Sequence, residues 1–154
     1  MGWFFGFKLH IATNLNGELI NAQVTKGNVD DRKVIPSLCK NLKGRLFGDK
    51  GYISQKLHEQ MLEQGLRIVT AIRSKMKPKL MLLEESELLK KRSMIESVFH
   101  ILKDILLLNH TRHRSSANFL VNIIGALCAY CMYPGKPAIK MNSMRSAAPA
   151  LMFS

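Results

Sequence analysis

Hydrophobic and polar positions change period several times along the chain, and each change marks an element. Trp3, Phe5, Phe7, Leu9 and Ile11 alternate with Phe4, Gly6, Lys8, His10 and Ala12, a period of two that predicts a strand. Asn14-Leu-Asn-Gly17 is turn chemistry and Glu18 to Thr25 returns as a second strand, so the chain opens with a hairpin. Gly27 to Asp31 forms a loop in which either aspartate can cap a helix running to about Leu42. Gly44 to Gly48 is a short third strand with Asp49 at its carboxyl end. Lys50-Gly-Tyr52 then turns the chain, Ser54 caps a helix through Gln64, and Gly65 stands where a helix-ending glycine belongs. Leu66 to Ile72 is a fourth strand, followed by a basic loop from Arg73 to Lys79. A long helix is expected from about Glu84 to Leu108. The basic cluster Asn109 to Ser115 breaks it, and Ser116 to Met132 closes the fold as an apolar, buried helix. From Pro134 onward no periodicity survives, which predicts a domain over residues 1–133 and a loosely ordered tail over 134–154.

Strand, strand, helix, strand, helix, strand, helix, helix is the order of a mixed α/β domain, with a hairpin and a β-α-β unit sharing one sheet. On the long helix, Leu88, Ile95, Phe99, Leu102 and Leu106 form one apolar stripe that seats it on a core. Arg92, Glu96, His100 and Lys103 fall at i, i+4, i+8 and i+11 and share a second face. An Arg–Glu pair at i, i+4 is ordinary on a surface helix and contributes a few tenths of a kcal/mol. It gains interest from Asp49, which ends a strand and enters a glycine turn, because sites in open α/β sheets gather at the carboxyl ends of strands. Two such carboxylates are the ligand type that Mg²⁺ takes, together with water and phosphate oxygens. A third is usually expected for phosphodiester chemistry.

Composition narrows the partners. The net charge is +12, from 23 Lys plus Arg against 11 Asp plus Glu, and the basic residues are spread through the chain instead of gathered in one tail. A folded, positively charged face directed at a polyanion follows, with nucleic acid the first candidate. Three cysteines build no disulfide framework, and Cys128-x-x-Cys131 lacks the partners of a zinc site, so core packing is expected there. The Phe119–Tyr133 run is shorter than the ~20 residues a bilayer span needs. With no secretory signal, the cytoplasm is the default location. Nucleophile motifs, Gly-rich phosphate loops and an obvious helix-turn-helix are missing, so DNA contact is expected to rest on phosphate-directed Lys and Arg.

Five segments occur in a telling order: Gly6-Phe-Lys-Leu-His10, Thr25-Lys-Gly-Asn-Val-Asp30, Gly48-Asp-Lys-Gly-Tyr52, Arg92-Ser-Met-Ile-Glu96 with Lys103, and His110-Thr-Arg-His-Arg-Ser115 before an apolar helix ending Ala129-Tyr-Cys131. Together they resemble the second and larger part of a bacterial insertion-sequence transposase of the DDE type. The resemblance implies a ribonuclease-H-like mixed sheet flanked by helices and three acidic residues binding two Mg²⁺ (or Mn²⁺). It also implies DNA, as element ends and target, for a partner. Asp49 matches the second acid and Glu96 the third. Arg92 and Lys103 match basic residues that contact DNA in related transposases, and Arg112, His113 and Arg114 are further candidate contacts. Leu89 stands where such motifs sometimes carry tyrosine.

In the family the first acid lies on a strand upstream of Gly-x-Lys-Leu-His, and here only Met1 to Phe5 precede that segment. Asp30 and Asp31 match the loop after the family's third strand, not the first acid. The resemblance therefore implies an N-terminally truncated domain with strand edges open in mid-sheet, inactive or nearly so in transposition. The competing expectation is a non-catalytic DNA-binding remnant that joins the oligomer of a full-length transposase. An RNA-binding module is less favoured, because most aromatics alternate into a core face and leave no exposed stacking platform.

Overall fold

The computed structural model describes residues 6–71, 82–108, 115–139 and 150–153. The opening hairpin forms as the alternation predicts: β1 (Phe7–Asn14) runs antiparallel to β2 (Leu19–Lys26), with Phe7 opposite Lys26 and Ile11 opposite Ala22. The Asn14 side-chain oxygen accepts from the backbone N–H groups of Asn16 (2.9 Å) and Glu18 (3.0 Å) and so shapes the turn. β3 (Gly44–Gly48) and β4 (Leu66–Thr70) pair in parallel, joined through α2 (Gln55–Glu63). Ser54 caps that helix through the Leu57 N–H at 3.4 Å.

The helix expected to reach Leu42 is shorter. A 3₁₀ turn (Asp31–Lys33) leads into a single turn, α1 (Ile35–Leu38). Pro36 stands in the first turn, where its missing N–H is no loss, but Asn41 takes a left-handed φ of 64° that ends any helical continuation. The long helix forms in sections: α3 (Leu83–Lys90), a 3₁₀ turn (Lys91–Ser93), α4 (Met94–His100) and a wide π turn (Ile101–Ile105) in which the Leu106 N–H donates to the Ile101 carbonyl at 2.9 Å. The expected apolar stripe is in place: Leu88, Ile95 and Leu102 are buried, with Phe99 and Leu106 packed against the same core.

The sheet has the order β2-β1-β5-β3-β4. Its central strand, β5 (Ala150–Phe153), is antiparallel to the end of β1 (Ala12 opposite Phe153, Asn14 opposite Leu151) and parallel to β3 (Arg45 opposite Ala150, Phe47 opposite Met152). The hydropathy pattern does not predict this strand, because a four-residue strand covered on both faces is uniformly apolar and shows no alternation. Part of the segment expected to be a loose tail thus sits in the mid-sheet position where open edges were anticipated.

Both sheet faces are covered. Ile11, Phe47, Val69 and Met152 meet α3, α4 and α5 (Ser116–Met132) on one side; Ala12, Leu46, Ile68 and Leu151 meet α1 and α2 on the other. α5 departs from the expectation of a buried helix. It buries Ile123, Ala126 and Tyr130 but exposes Val121, Ile124 and Met132, and Cys128 and Cys131 are exposed free thiols instead of core. Only one stripe of this uniformly apolar helix finds a surface to pack on. Among the described residues, no helix is long and apolar enough to cross a membrane.

The pairing fixes one end of the sheet as the place for a site. β3, β4 and β5 point the same way, β1 runs against β5, and β2 runs against β1. The carboxyl ends of β2, β3, β4 and β5 therefore share one edge with the amino end of β1.

Candidate functional site

Asp49 follows β3 at that edge. It is exposed, with extended backbone (φ −75°, ψ 166°), and its carboxylate accepts from the Lys50 N–H at 2.7 Å, capping the 3₁₀ turn Lys50–Tyr52. Gly48 lets this turn close down: a Cβ there would lie 3.1 Å from the Tyr52 ring. Glu96 comes from the first turn of α4, its side chain 65% exposed, and pairs with Arg92 at 3.3 Å. The two carboxylates that the sequence singled out, and Arg92 with them, line one open cavity of about 520 Å³ together with Tyr52.

Two further acids reach the same cavity. Asp30 and Asp31 follow β2, whose carboxyl end shares this edge, so the hairpin delivers them beside Asp49. Asp30 is clasped by Arg32, with contacts of 2.6 to 3.1 Å, and the guanidinium holds its carboxyl down at about 2. Asp31 pairs with Lys8 of β1 at 3.0 Å. Tyr52 reports how close these groups stand: burial pushes its phenol up, the Asp31 and Asp49 carboxylates push it further, and Arg92 pulls it back. The sequence carried a signal for Asp31 that a capping reading absorbed. An aspartate just past the second strand of a hairpin, and another just past the third strand of the same sheet, can meet at one edge.

A second cavity, about 840 Å³, adjoins the first. Glu96, His100 and Lys103 line it with Lys8 and His10 of β1, so three of the four residues assigned to one helix face do share a surface. Lys103 Nζ lies 5.2 Å from the centre of the Phe99 ring. His100 Nδ1 is 2.7 Å from Asp104. His10 is buried, bonds Thr25 Oγ1 at 2.9 Å, and has its imidazole pushed toward the neutral form by that burial. Arg112, His113 and Arg114, and the basic loop from Arg73 to Lys79, lie outside the described residues.

A strand-end aspartate and a helical glutamate facing one cavity on a mixed sheet match the order of motifs in the sequence. The profile of a transposase DDE domain matches residues 1–116, three-quarters of the chain. The chain belongs to the transposase DDE domain family. No curated protein and no solved structure matches it. The matched region runs from β1 to the start of α5, and the five-stranded sheet with helices on both faces is compatible with the ribonuclease-H-like architecture of such domains.

DDE transposases act on DNA and generally use a divalent metal. The donors of this DDE domain suit a hard cation: Asp49 and Glu96 offer carboxylate oxygens, with room for water beside them. Among the described residues, no three His, Cys, Asp or Glu side chains converge to hold one ion. Asp30 and Asp31 line the same cavity, and their carboxylates are held by Arg32 and Lys8.

Proposed function

We propose that this chain binds DNA across the strand-end edge, and that Asp49 and Glu96 are the metal ligands of a site built for phosphodiester cleavage and strand transfer in transposition of an insertion sequence. The observation that carries this is the shared cavity: two carboxylates from separate elements, 47 positions apart in sequence, face one open space flanked by Arg92. With Mg²⁺ or Mn²⁺ bound, the site gains an ionised attacking oxygen and a counter-charge for the leaving one. The chain's own residues do the rest. Asp49 and Glu96 would hold the metal beside the scissile phosphate, first as water breaks the phosphodiester and frees a 3′-hydroxyl, then as that hydroxyl attacks a target phosphodiester and displaces its 3′-oxygen. Arg92 orients Glu96 and offers its remaining N–H groups to phosphate oxygens. Lys103 meets a backbone phosphate, and Arg112, His113 and Arg114 are further candidate phosphate contacts. The element ends and target DNA are the partners, a second copy or a full-length transposase completes the working oligomer, and the cytoplasm is where it acts.

A second reading is favoured by one observation: among the described residues no third metal-holding group joins Asp49 and Glu96. In that reading the chain is a non-catalytic DNA binder that occupies element DNA or joins a full-length transposase. Element-end duplex, pure protein and Mg²⁺ separate the two. Metal-dependent nicking abolished by Asp49→Asn and by Glu96→Gln supports catalysis. Salt-sensitive binding that survives both substitutions, with no nicking, supports the binder. Failure to bind DNA at moderate salt sinks both.

A further inference from the structure

We propose that the larger cavity beside Glu96 takes up one unpaired nucleobase of the bound DNA. The inference rests on the DNA-binding reading above and adds a base-recognising subsite to it. The cavity opens between the start of β1, α4 and the start of α5, and its volume of about 840 Å³ lies in the range that bound small molecules occupy. Its walls are aromatic and cationic together. The Phe7 and Phe119 rings stack on one another with centroids 5.4 Å apart and planes 23° from parallel, which presents a flat face. Phe99 also lines the cavity, with the Lys103 ammonium 5.2 Å from its ring centre.

Flat aromatic faces with a lysine beside them are the combination that holds single-stranded nucleic acid: rings stack on any base, and the cation meets its phosphate. A simple anion site would have no use for three phenylalanines. A purely apolar ligand would gain nothing from Lys8 and Lys103. Phe7 is 47% exposed even with Phe119 stacked on it, so an aromatic face stays open to solvent. Because Glu96 lines both cavities, a nucleotide whose phosphate lies by the carboxylates has this space within reach of its base. A base stacked inside a duplex cannot enter, so the ligand is an unpaired one, at a frayed end or a single-stranded flank.

The test uses the full chain and two fluorescent single-stranded probes of equal length and charge, oligothymidylate and its fully abasic counterpart, with anisotropy read at fixed salt. Oligothymidylate is expected to bind about 5- to 150-fold more tightly, the range that stacking of one base gives. Phe119→Leu and, separately, Phe7→Leu should each narrow that gap at least threefold. Phe7 is on the surface, so its variant folds even if the other does not. Equal binding of the two probes overturns the subsite while leaving DNA binding intact. A gap that neither variant narrows also overturns it, because the base is then read elsewhere. If neither probe nor duplex DNA binds, the DNA-binding reading falls as well.

Discussion

The strand that the sequence did not announce offers the sharpest test of the fold. Met152 is 0% exposed and lies in the core with Ile11, Phe47, Ile95 and Tyr130; Leu151, 6% exposed, points into the opposite core. Met152→Ala removes two carbons and a sulfur, about 2 kcal/mol of transfer free energy at ~0.8 kcal/mol per methylene-sized group. The hole left among well-packed neighbours adds to this, bringing the expected loss to about 3 kcal/mol, inside the roughly 2–5 kcal/mol typical of such truncations. Leu151→Ala should cost a similar amount through the other core. Met132→Ala is the control: at 86% exposure on α5 it should stay within about 0.5 kcal/mol of wild type. Urea unfolding followed by far-UV circular dichroism reads all three. If Met152→Ala and Leu151→Ala behave like Met132→Ala, β5 does not fill the sheet between β1 and β3, and the topology described above is wrong.

Four further outcomes are expected. The buried Tyr130 hydroxyl donates to the Gly17 carbonyl at 2.6 Å, so Tyr130→Phe should cost about 1–3 kcal/mol and speed amide exchange in the hairpin turn; a change of a few tenths with unaltered exchange would remove α5 as the clamp on that turn. Gly17→Ala should be no milder, because φ is +71° and the added Cβ would come 2.2 Å from the Pro137 carbonyl oxygen. His10 has its pKa lowered from 6.5 mainly by burial, with Lys8 acting the same way and Asp31 against it. The unfolded chain therefore takes up a proton first as pH falls below about 6.5, so stability drops from there down to the folded pKa, and His10→Asn should flatten that slope in urea titrations at pH 5 to 7. Finally, a divalent cation on Glu96 frees Arg92 for phosphate. At constant ionic strength Mg²⁺ should strengthen DNA binding about two- to fivefold in wild type and not in Arg92→Ala, whereas simple counterion competition would weaken binding in both.

What the sequence made legible was whatever local chemistry decides. Alternation placed β1, a serine cap and a glycine stop bounded α2, and the apolar stripe seated α4 with Glu96 turned outward. β3 and Asp49 were legible because the short glycine-bounded segment Gly44-Arg-Leu-Phe-Gly48 ran straight into turn residues. The parts that stayed hidden depend on distant contacts. β5 is apolar on both sides because two cores meet it, and no period marks such a strand. α5 reads as buried because its sequence is apolar all round, yet the body of the protein offers it a surface on one side only. Asp31 reads as a helix cap until the sheet order brings the ends of β2 and β3 to one edge.

The charges at that edge explain why a +12 chain can keep its acids together there. Arg32 holds Asp30, Lys8 holds Asp31, Arg92 holds Glu96, and the Lys50 N–H holds Asp49. Three of these carboxylates are paired with a local cation, and Asp49 accepts a backbone hydrogen bond. The ion pairs are formed mostly by exposed groups whose pairing contributes little to stability. These pairs are thus inexpensive to exchange. An arriving phosphate backbone competes for the cations, and the carboxylates it strips of partners then need another positive charge. A divalent cation is the compact way to supply one, which gives DNA and metal a shared reason to bind at this edge. The tightest clasp is on Asp30, where Arg32 closes on both oxygens, and the loosest is the single 3.3 Å contact on Glu96. Among the paired acids the one bound least firmly is the one expected to change partners, and like Asp31 it lines both cavities.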